Sequence, residues 1–409
     1  MNIAFFCIPA HGHTNPTLAV VRELTARGHT VRYYTTEAFR AKVEAAGAVF
    51  VPFDAEAARP GMTAADGARL GSDLAFSTKL IVDLTLAADD WLSRELTVHR
   101  PDVIVGDSMA FWAKLAAKKH GIPFVSSTTT FAFNRFSAKV IGQNGAGFLQ
   151  FLLAQPRINR QLKRLRAAGY AVKSVFDIIA NDNETETVVY TSPDFQPCAD
   201  TFSEKYHFVG PLLRPAQSSF EKLPGRSLIY ISLGTVNNDA LPFYRACLAA
   251  FGGDPRFQLV LSAGTQTDLA ALGPIPESCT VRASVDQMAV LDCADVFLTH
   301  CGMNSASEGL WHGLPLVLYP QTPEQHGVAN RVAALGAGVP LTDPSADGIR
   351  RAVKTALTDP AYRENAQKRA DGFRRGFRQI GDDHGMMIRA RRFDHQSAQK
   401  RLIRIGKLD

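Results

Sequence analysis

The stretch Asn2-Ile3-Ala4-Phe5-Phe6-Cys7-Ile8-Pro9-Ala10-His11-Gly12-His13-Thr14-Asn15-Pro16 decides the fold. Its apolar run, Asn2 to Ile8, reads as a strand buried on both faces, as in the middle of a parallel sheet. A short loop follows, and Asn15 and Pro16 supply an N-cap and first-turn pair for a helix ending near Gly28. The same rhythm continues outward. Thr30 to Thr35, Ala48 to Pro52, Asp102 to Gly106 and Pro123 to Ser126 read as strands, and Asp73 to Val98 as one or two helices. Alternation of this kind implies a parallel sheet with crossover helices. From Phe131 to Ala180 the pattern is helical but irregular, which marks a shaped, variable surface.

Pro and Gly then cluster without periodicity between Val209 and Gly225, as in an inter-domain linker. Beyond it the alternation restarts. Strands are expected at Leu228 to Ser232, Gln258 to Ser262, Val296 to Thr299 and Pro315 to Leu318, with helices near Asp239 to Phe251, Asp286 to Cys293, Ser305 to His312 and Pro323 to Leu335. The expected architecture is α/β: two Rossmann-like, doubly wound domains over residues 1–208 and 228–380, joined by a linker at 209–227 and followed by a tail at 381–409. Two such domains would face each other across a cleft at the carboxyl ends of their sheets.

The chain has 409 residues, 46% hydrophobic and 21% charged, which excludes wholesale disorder. No stretch approaches the roughly 20 uninterrupted apolar residues of a membrane helix, and the apolar opening lacks a basic flank and a cleavage site. The net charge of +6 belongs to the last 36 residues, which hold ten basic and four acidic side chains. The body is neutral and so is poor material for tracking a nucleic-acid backbone. The tail is expected to be a mobile or loosely docked basic segment. Six cysteines without C-x-x-C spacing point to reduced, mostly buried thiols and a cytoplasmic setting. No heptad repeat argues for an oligomer, so a monomer is expected.

The loop after the first strand lacks the G-x-G-x-x-G turn of a dinucleotide site, and no P-loop occurs anywhere. His13 would stand at a sheet's carboxyl end, where it could be a general base or a loop hydrogen-bonder. Asp107 ends a later strand, where it could orient His13 or cap a helix from Ser108. In the second half, Thr299-His300-Cys301-Gly302-Met303-Asn304-Ser305-Ala306-Ser307-Glu308 follows a strand and opens a helix, which favours an anion such as a diphosphate. Ser305 and Glu308 also fit a capping box. His11 reads as a loop hydrogen-bonder. His312 and His326 have no partners at metal spacing, so no metal site is expected. Phe131, Phe133, Phe136, Phe148 and Phe151 could line an apolar pocket or belong to the core.

Four segments in order carry a resemblance: Pro9 to Pro16, Ser232-Leu233-Gly234-Thr235, His300 to Ser305 with Glu308, and Pro320-Gln321-Thr322-Pro323-Glu324-Gln325. From Met1 to about Arg374 the chain resembles the GT-B nucleotide-sugar glycosyltransferases of family 1, which include macrolide and flavonoid glycosyltransferases and the UDP-glycosyltransferases. The resemblance implies His13 as the base that deprotonates an acceptor hydroxyl and Asp107 as its orienting partner. It implies that His300, Gly302, Asn304, Ser305 and Thr235 meet the donor diphosphate and that Glu308 meets the ribose. Ser284, Val285 and Gln287 would lie near the nucleoside, and Glu324 and Gln325 would meet the transferred sugar. The implied reaction is inverting transfer of a sugar, glucose from UDP-glucose first of all, to a hydroxyl of a small hydrophobic acceptor such as a polyphenol or macrolide. No cofactor or metal is implied. A nucleotide-sugar epimerase and a non-catalytic partner of another transferase are the alternatives.

Two features depart from the family pattern. Members commonly set Trp or Arg against the nucleobase, with Pro two residues later, where this chain has Ser284-Val285-Asp286. Asp286 would add negative charge near a negative donor. Relatives also end in a helix that crosses back to the first domain, whereas the sequence from Gly381 shows no such pattern.

Overall fold

A computed structural model describes residues 1–53, 73–134, 136–137, 146–181, 184–235 and 237–382, with backbone alone at 146–152 and 376–382. The basic tail beyond Asp382, part of the variable region, and the side chains of Phe148 and Phe151 lie outside the described residues.

The first unit runs β1 (Asn2–Phe6), α1 (His11–Ala26), β2 (Thr30–Thr35), α2 (Arg40–Ala45), β3 (Val49–Pro52), α3 (Leu74–His99), β4 (Val103–Asp107), α4 (Phe111–His120), β5 (Phe124–Thr128), α5 (Ala146–Ala167), α6 (Phe176–Ile179), β6 (Glu186–Val189) and β7 (Tyr206–Phe208). Its strands lie parallel in the order β3-β2-β1-β4-β5-β6-β7. Side chains alternate across this sheet as a strand period of two requires. Ile3, Phe5 and Cys7 pack with Leu18, Val21 and Tyr33 on one face. Ala4 and Phe6 pack with Tyr34, Leu92 and Trp112 on the other.

The second unit runs β8 (Ser227–Ser232), α7 (Leu241–Phe251), β9 (Phe257–Ser262), β10 (Cys279–Arg282), α8 (Gln287–Leu291), β11 (Val296–Thr299), α9 (Met303–Trp311), β12 (Leu316–Leu318), α10 (Pro323–Ala334), β13 (Gly338–Pro340), α11 (Ala346–Thr358) and α12 (Pro360–Asp382). Its six strands are parallel in the order β10-β9-β8-β11-β12-β13. Each sheet therefore reverses its winding beside its first strand. The switch points, β1 against β4 and β8 against β11, open crevices at the strands' carboxyl ends.

Two expectations need correction. Helix α1 starts at His11 behind Ala10, four residues before the expected N-cap, and carries Pro16 inside it. Proline removes an N–H and so frees the carbonyl four residues earlier. That carbonyl belongs to Gly12, and it accepts instead from Asn304 Nδ2 of the second unit at 3.0 Å. The closing helix is also present, and all but its last two residues precede Gly381. Helix α12 seals the second core with Ala366, Ala370 and Phe373, and Phe373 lies edge-on to Phe195 of the first unit at 5.6 Å. Arg375 reaches Asp194 at 3.2 Å. Phe373→Ala empties a fully buried site shared by both units and should cost about 3–5 kcal/mol, read as a lower midpoint in urea unfolding.

All six cysteines are free, and Cys7, Cys247, Cys279 and Cys301 are buried. Among the described residues no helix is long and apolar enough to cross a membrane.

Candidate functional site

Residues that the sequence analysis singled out gather at the two switch points. His13 sits in the first turn of α1, directly after β1, and Asp107 is the last residue of β4. Their strands are neighbours, so the side chains meet: His13 Nδ1 lies 2.8 Å from Asp107 Oδ2. Thr129 Oγ1, just past the end of β5, lies 2.9 Å from the same nitrogen. A carboxylate only accepts, so Nδ1–H donates to Asp107 and the proton-accepting lone pair falls on Nε2. The other Asp107 oxygen accepts from Met109 N at 2.9 Å. Asp107 is not a helix cap, because α4 begins at Phe111 behind Ala110.

The His13 environment contains opposing effects. Burial pushes the imidazole pKa down, but the Asp107 charge, its hydrogen bond and the charge of Glu324 outweigh burial and hold it above 6.5. Glu324, at the start of α10, is open to the cleft but hemmed in by protein. Burial raises its carboxyl pKa and the Asp107 charge raises it further, against the opposing pull of His13. The acidic residues of both units thus act on one imidazole.

Across the cleft, β11 leads into α9 through His300, Cys301 and Gly302. Cys301 takes a left-handed φ of 64°, which turns the chain sharply enough to aim the helix N-terminus at the cleft. Gly302 is the N-cap with no side-chain bond, so the capping box expected between Ser305 and Glu308 does not form. The first N–H groups of a helix have no partner within it, an arrangement that favours an anion. His300 is wedged between two glycines: a Cβ at Gly234 or at Gly302 would fall 2.6 Å from its Nε2. Burial pushes this imidazole down to about 4, so it is neutral at physiological pH, and its Nδ1 has no hydrogen-bond partner among the described residues.

Glu308 is half-buried on α9, and Gln287 Nε2 donates to its Oε2 while Tyr230 Oη donates to Gln287 Oε1 at 3.0 Å. Burial raises the Glu308 pKa, against the opposing effects of the Gln287 hydrogen bond and the Arg214 charge. Gln325 spends its side-chain oxygen on a capping box with Thr322 and on Gln321 N, which leaves its amide nitrogen for a ligand. Thr235 and Ser284 are exposed in the loops after β8 and β10, and Val285 packs towards the core. Asn304, expected at the diphosphate, donates through Nδ2 to Gly12 O at 3.0 Å.

Asp286 does not bring free charge to the donor side. Its Oδ2 accepts from Gln217 N at 2.6 Å, Ser218 N at 2.9 Å and Ser218 Oγ at 3.2 Å, and Arg214 lies 3.5 Å from Oδ1. Thr129, Tyr230 and Arg214 are marked by no motif in the sequence. The threonine run after β5 was visible, but its value rests on β5 lying next to β4.

A cavity of about 260 Å³ adjoins the pair, lined by Asp107, Phe111, Lys114, Thr130, Phe131, Phe133 and Ile179 among others. Phe131 is buried against Phe195 and lines the cavity as well, Phe133 lines it while partly exposed, and Phe136 is exposed elsewhere.

Residues 257–374 match the family described as erythromycin biosynthesis protein CIII-like, C-terminal domain. The chain is 32% identical over 389 residues to the NDP-glycosyltransferase YjiC of Bacillus licheniformis, covering 93% of this chain and 94% of that one. It is 32% identical over 387 residues to the demethyllactenocin mycarosyltransferase of Streptomyces fradiae, covering 91% and 83%. Among solved structures it is similar to the glycotransferase of kitacinnamycin, with a TM-score of 0.79, 30% identity and coverage of 92% and 95%. With both sheets, both switch points and these relatives in agreement, the chain belongs to the family 1 GT-B glycosyltransferases, enzymes that move a sugar from a nucleotide sugar to a small-molecule acceptor.

Proposed function

We propose that the chain is an inverting glycosyltransferase that moves glucose from UDP-glucose to a hydroxyl of a small hydrophobic acceptor, a polyphenol or a macrolide, with His13 as general base. The observation that carries this reading is the His13 imidazole, held through Nδ1 by Asp107 and Thr129 at one switch point and facing the α9 N-terminus at the other. Nε2 takes the acceptor proton as the hydroxyl oxygen attacks the anomeric carbon. The negative charge that grows on the departing diphosphate meets the free N–H groups of α9 and the neutral His300. Attack from the first unit while the nucleotide leaves into the second puts nucleophile and leaving group on opposite sides of the carbon, which inverts it. Glu324 and the Gln325 amide would hold the sugar hydroxyls, and the Gln287–Glu308 pair the ribose. No metal is needed in this reading. The aromatic lining of the cavity beside Asp107 suits a flat or apolar acceptor, and the mycarosyltransferase relative favours the macrolide class.

The test is mass spectrometry of UDP-glucose and dTDP-glucose incubations with a panel of phenolic and macrolide acceptors, with the anomeric configuration of any product read by nuclear magnetic resonance. A glucoside of opposite configuration supports the proposal. Donor interconversion without an acceptor would replace it with an epimerase, and product formed only from another sugar would correct the donor.

A further inference from the structure

We propose that the inter-domain linker completes the donor site, with the guanidinium of Arg214 as the flat surface on which the nucleobase lies. The inference rests on the donor half of the proposed function and extends it to a residue outside both domains' motifs. The second unit offers little planar surface of its own beside Gln287: Ser284 is small and exposed, and Val285 turns towards the core. The linker is strapped down at this point. Three hydrogen bonds from Gln217 and Ser218 converge on one oxygen of Asp286, the residue before Gln287, whose amide holds Glu308.

Arg214 is placed by the same carboxylate but not consumed by it. Among the described residues its one ion pair is 3.5 Å long, not a two-pronged pairing, and its side chain is 40% exposed. Through Asp286 it is placed one residue from Gln287, whose amide donates to Glu308, the groups expected at the nucleoside. A guanidinium is planar, delocalised and weakly hydrated, and it stacks on ring faces in a way an ammonium cannot.

The experiment is calorimetric titration of the full chain and its Arg214→Ala and Arg214→Lys variants with UDP, dTDP and inorganic diphosphate. Arg214 is exposed, so both variants should keep the parent's melting temperature. The expected result is a loss of about tenfold in UDP and dTDP affinity for Arg214→Ala, no rescue by Lys, and unchanged diphosphate binding. Unchanged UDP affinity in Arg214→Ala overturns the proposal. Rescue by Lys, or an equal loss for diphosphate, also overturns it, because the side chain would then act as a charge on the phosphates. If the parent chain itself binds neither UDP nor dTDP, the donor reading fails first and takes this proposal with it.

Discussion

Replacing His13 by Ala should lower turnover by about a thousandfold, the usual scale of a positioned general base, while UDP affinity stays close to the parent's. The split follows from geometry. His13 belongs to α1 and meets Asp107 and Thr129, whereas the groups expected to hold the nucleotide belong to the second unit and the linker. Stopped assays of product formation, with calorimetry of UDP binding, check both halves. The pH profile adds a second readout. The base must be neutral to accept a proton, so the rate should fall as pH drops through the raised His13 pKa, above 6.5. Asp107→Asn removes the charge that outweighs burial, so the acid limb should move to lower pH. If the Asn oxygen keeps the Met109 N–H, its NH2 faces His13 and favours the wrong tautomer, so the plateau should fall by roughly a hundredfold or more. An Asn variant with an unmoved acid limb would show that His13 is not the titrating base.

The other large effect is expected from a glycine. Gly234→Ala places a Cβ 2.6 Å from His300 Nε2 at a position whose φ is +81°. The backbone strain alone costs on the order of 1–3 kcal/mol, and the buried ring cannot stay where it is. Donor kcat/KM should therefore fall by about a hundredfold, mostly as a rise in donor KM if His300 serves ground-state binding, or as a fall in kcat if it serves the departing charge. Gly302→Ala separates the two costs. Its added Cβ meets the same Nε2 at 2.6 Å, but Gly302 has an ordinary φ of −59°. It should damage donor use with less loss of stability, measurable as a smaller drop in melting temperature. Equal, parent-like kinetics in both variants would remove His300 from the donor site.

Most long elements were legible because their signals are local. The apolar run of β1, the Pro–Gly punctuation of the linker and the restart at Leu228 carry the α/β architecture without any knowledge of distant contacts. The short strands β6, β7, β10 and β13 were missed. Three or four residues such as Gly338–Pro340 have too little pattern to stand out, and only pairing with a neighbour, here β12, makes them strands. The start of α1 was misplaced because Asn15-Pro16 makes a good local N-cap pair. The chain tolerates Pro16 within the helix because the carbonyl it frees finds Asn304 in the other unit.

The same division holds for the site. The sequence by itself brought forward His13, Asp107 and His300 as candidates, because each follows or ends a strand and strand ends can be read from local pattern, while the role expected of Glu308 came from the family resemblance. Only the tertiary structure decided what those side chains do to one another. Strand order set Asp107 and Thr129 on one nitrogen of His13, two glycines trapped His300 as a neutral ring, and Asp286 turned from a charge near the donor into the anchor of the linker. Tautomer, pKa and pairing arise from groups tens to hundreds of residues apart in the chain, and no local pattern encodes a distance across a cleft.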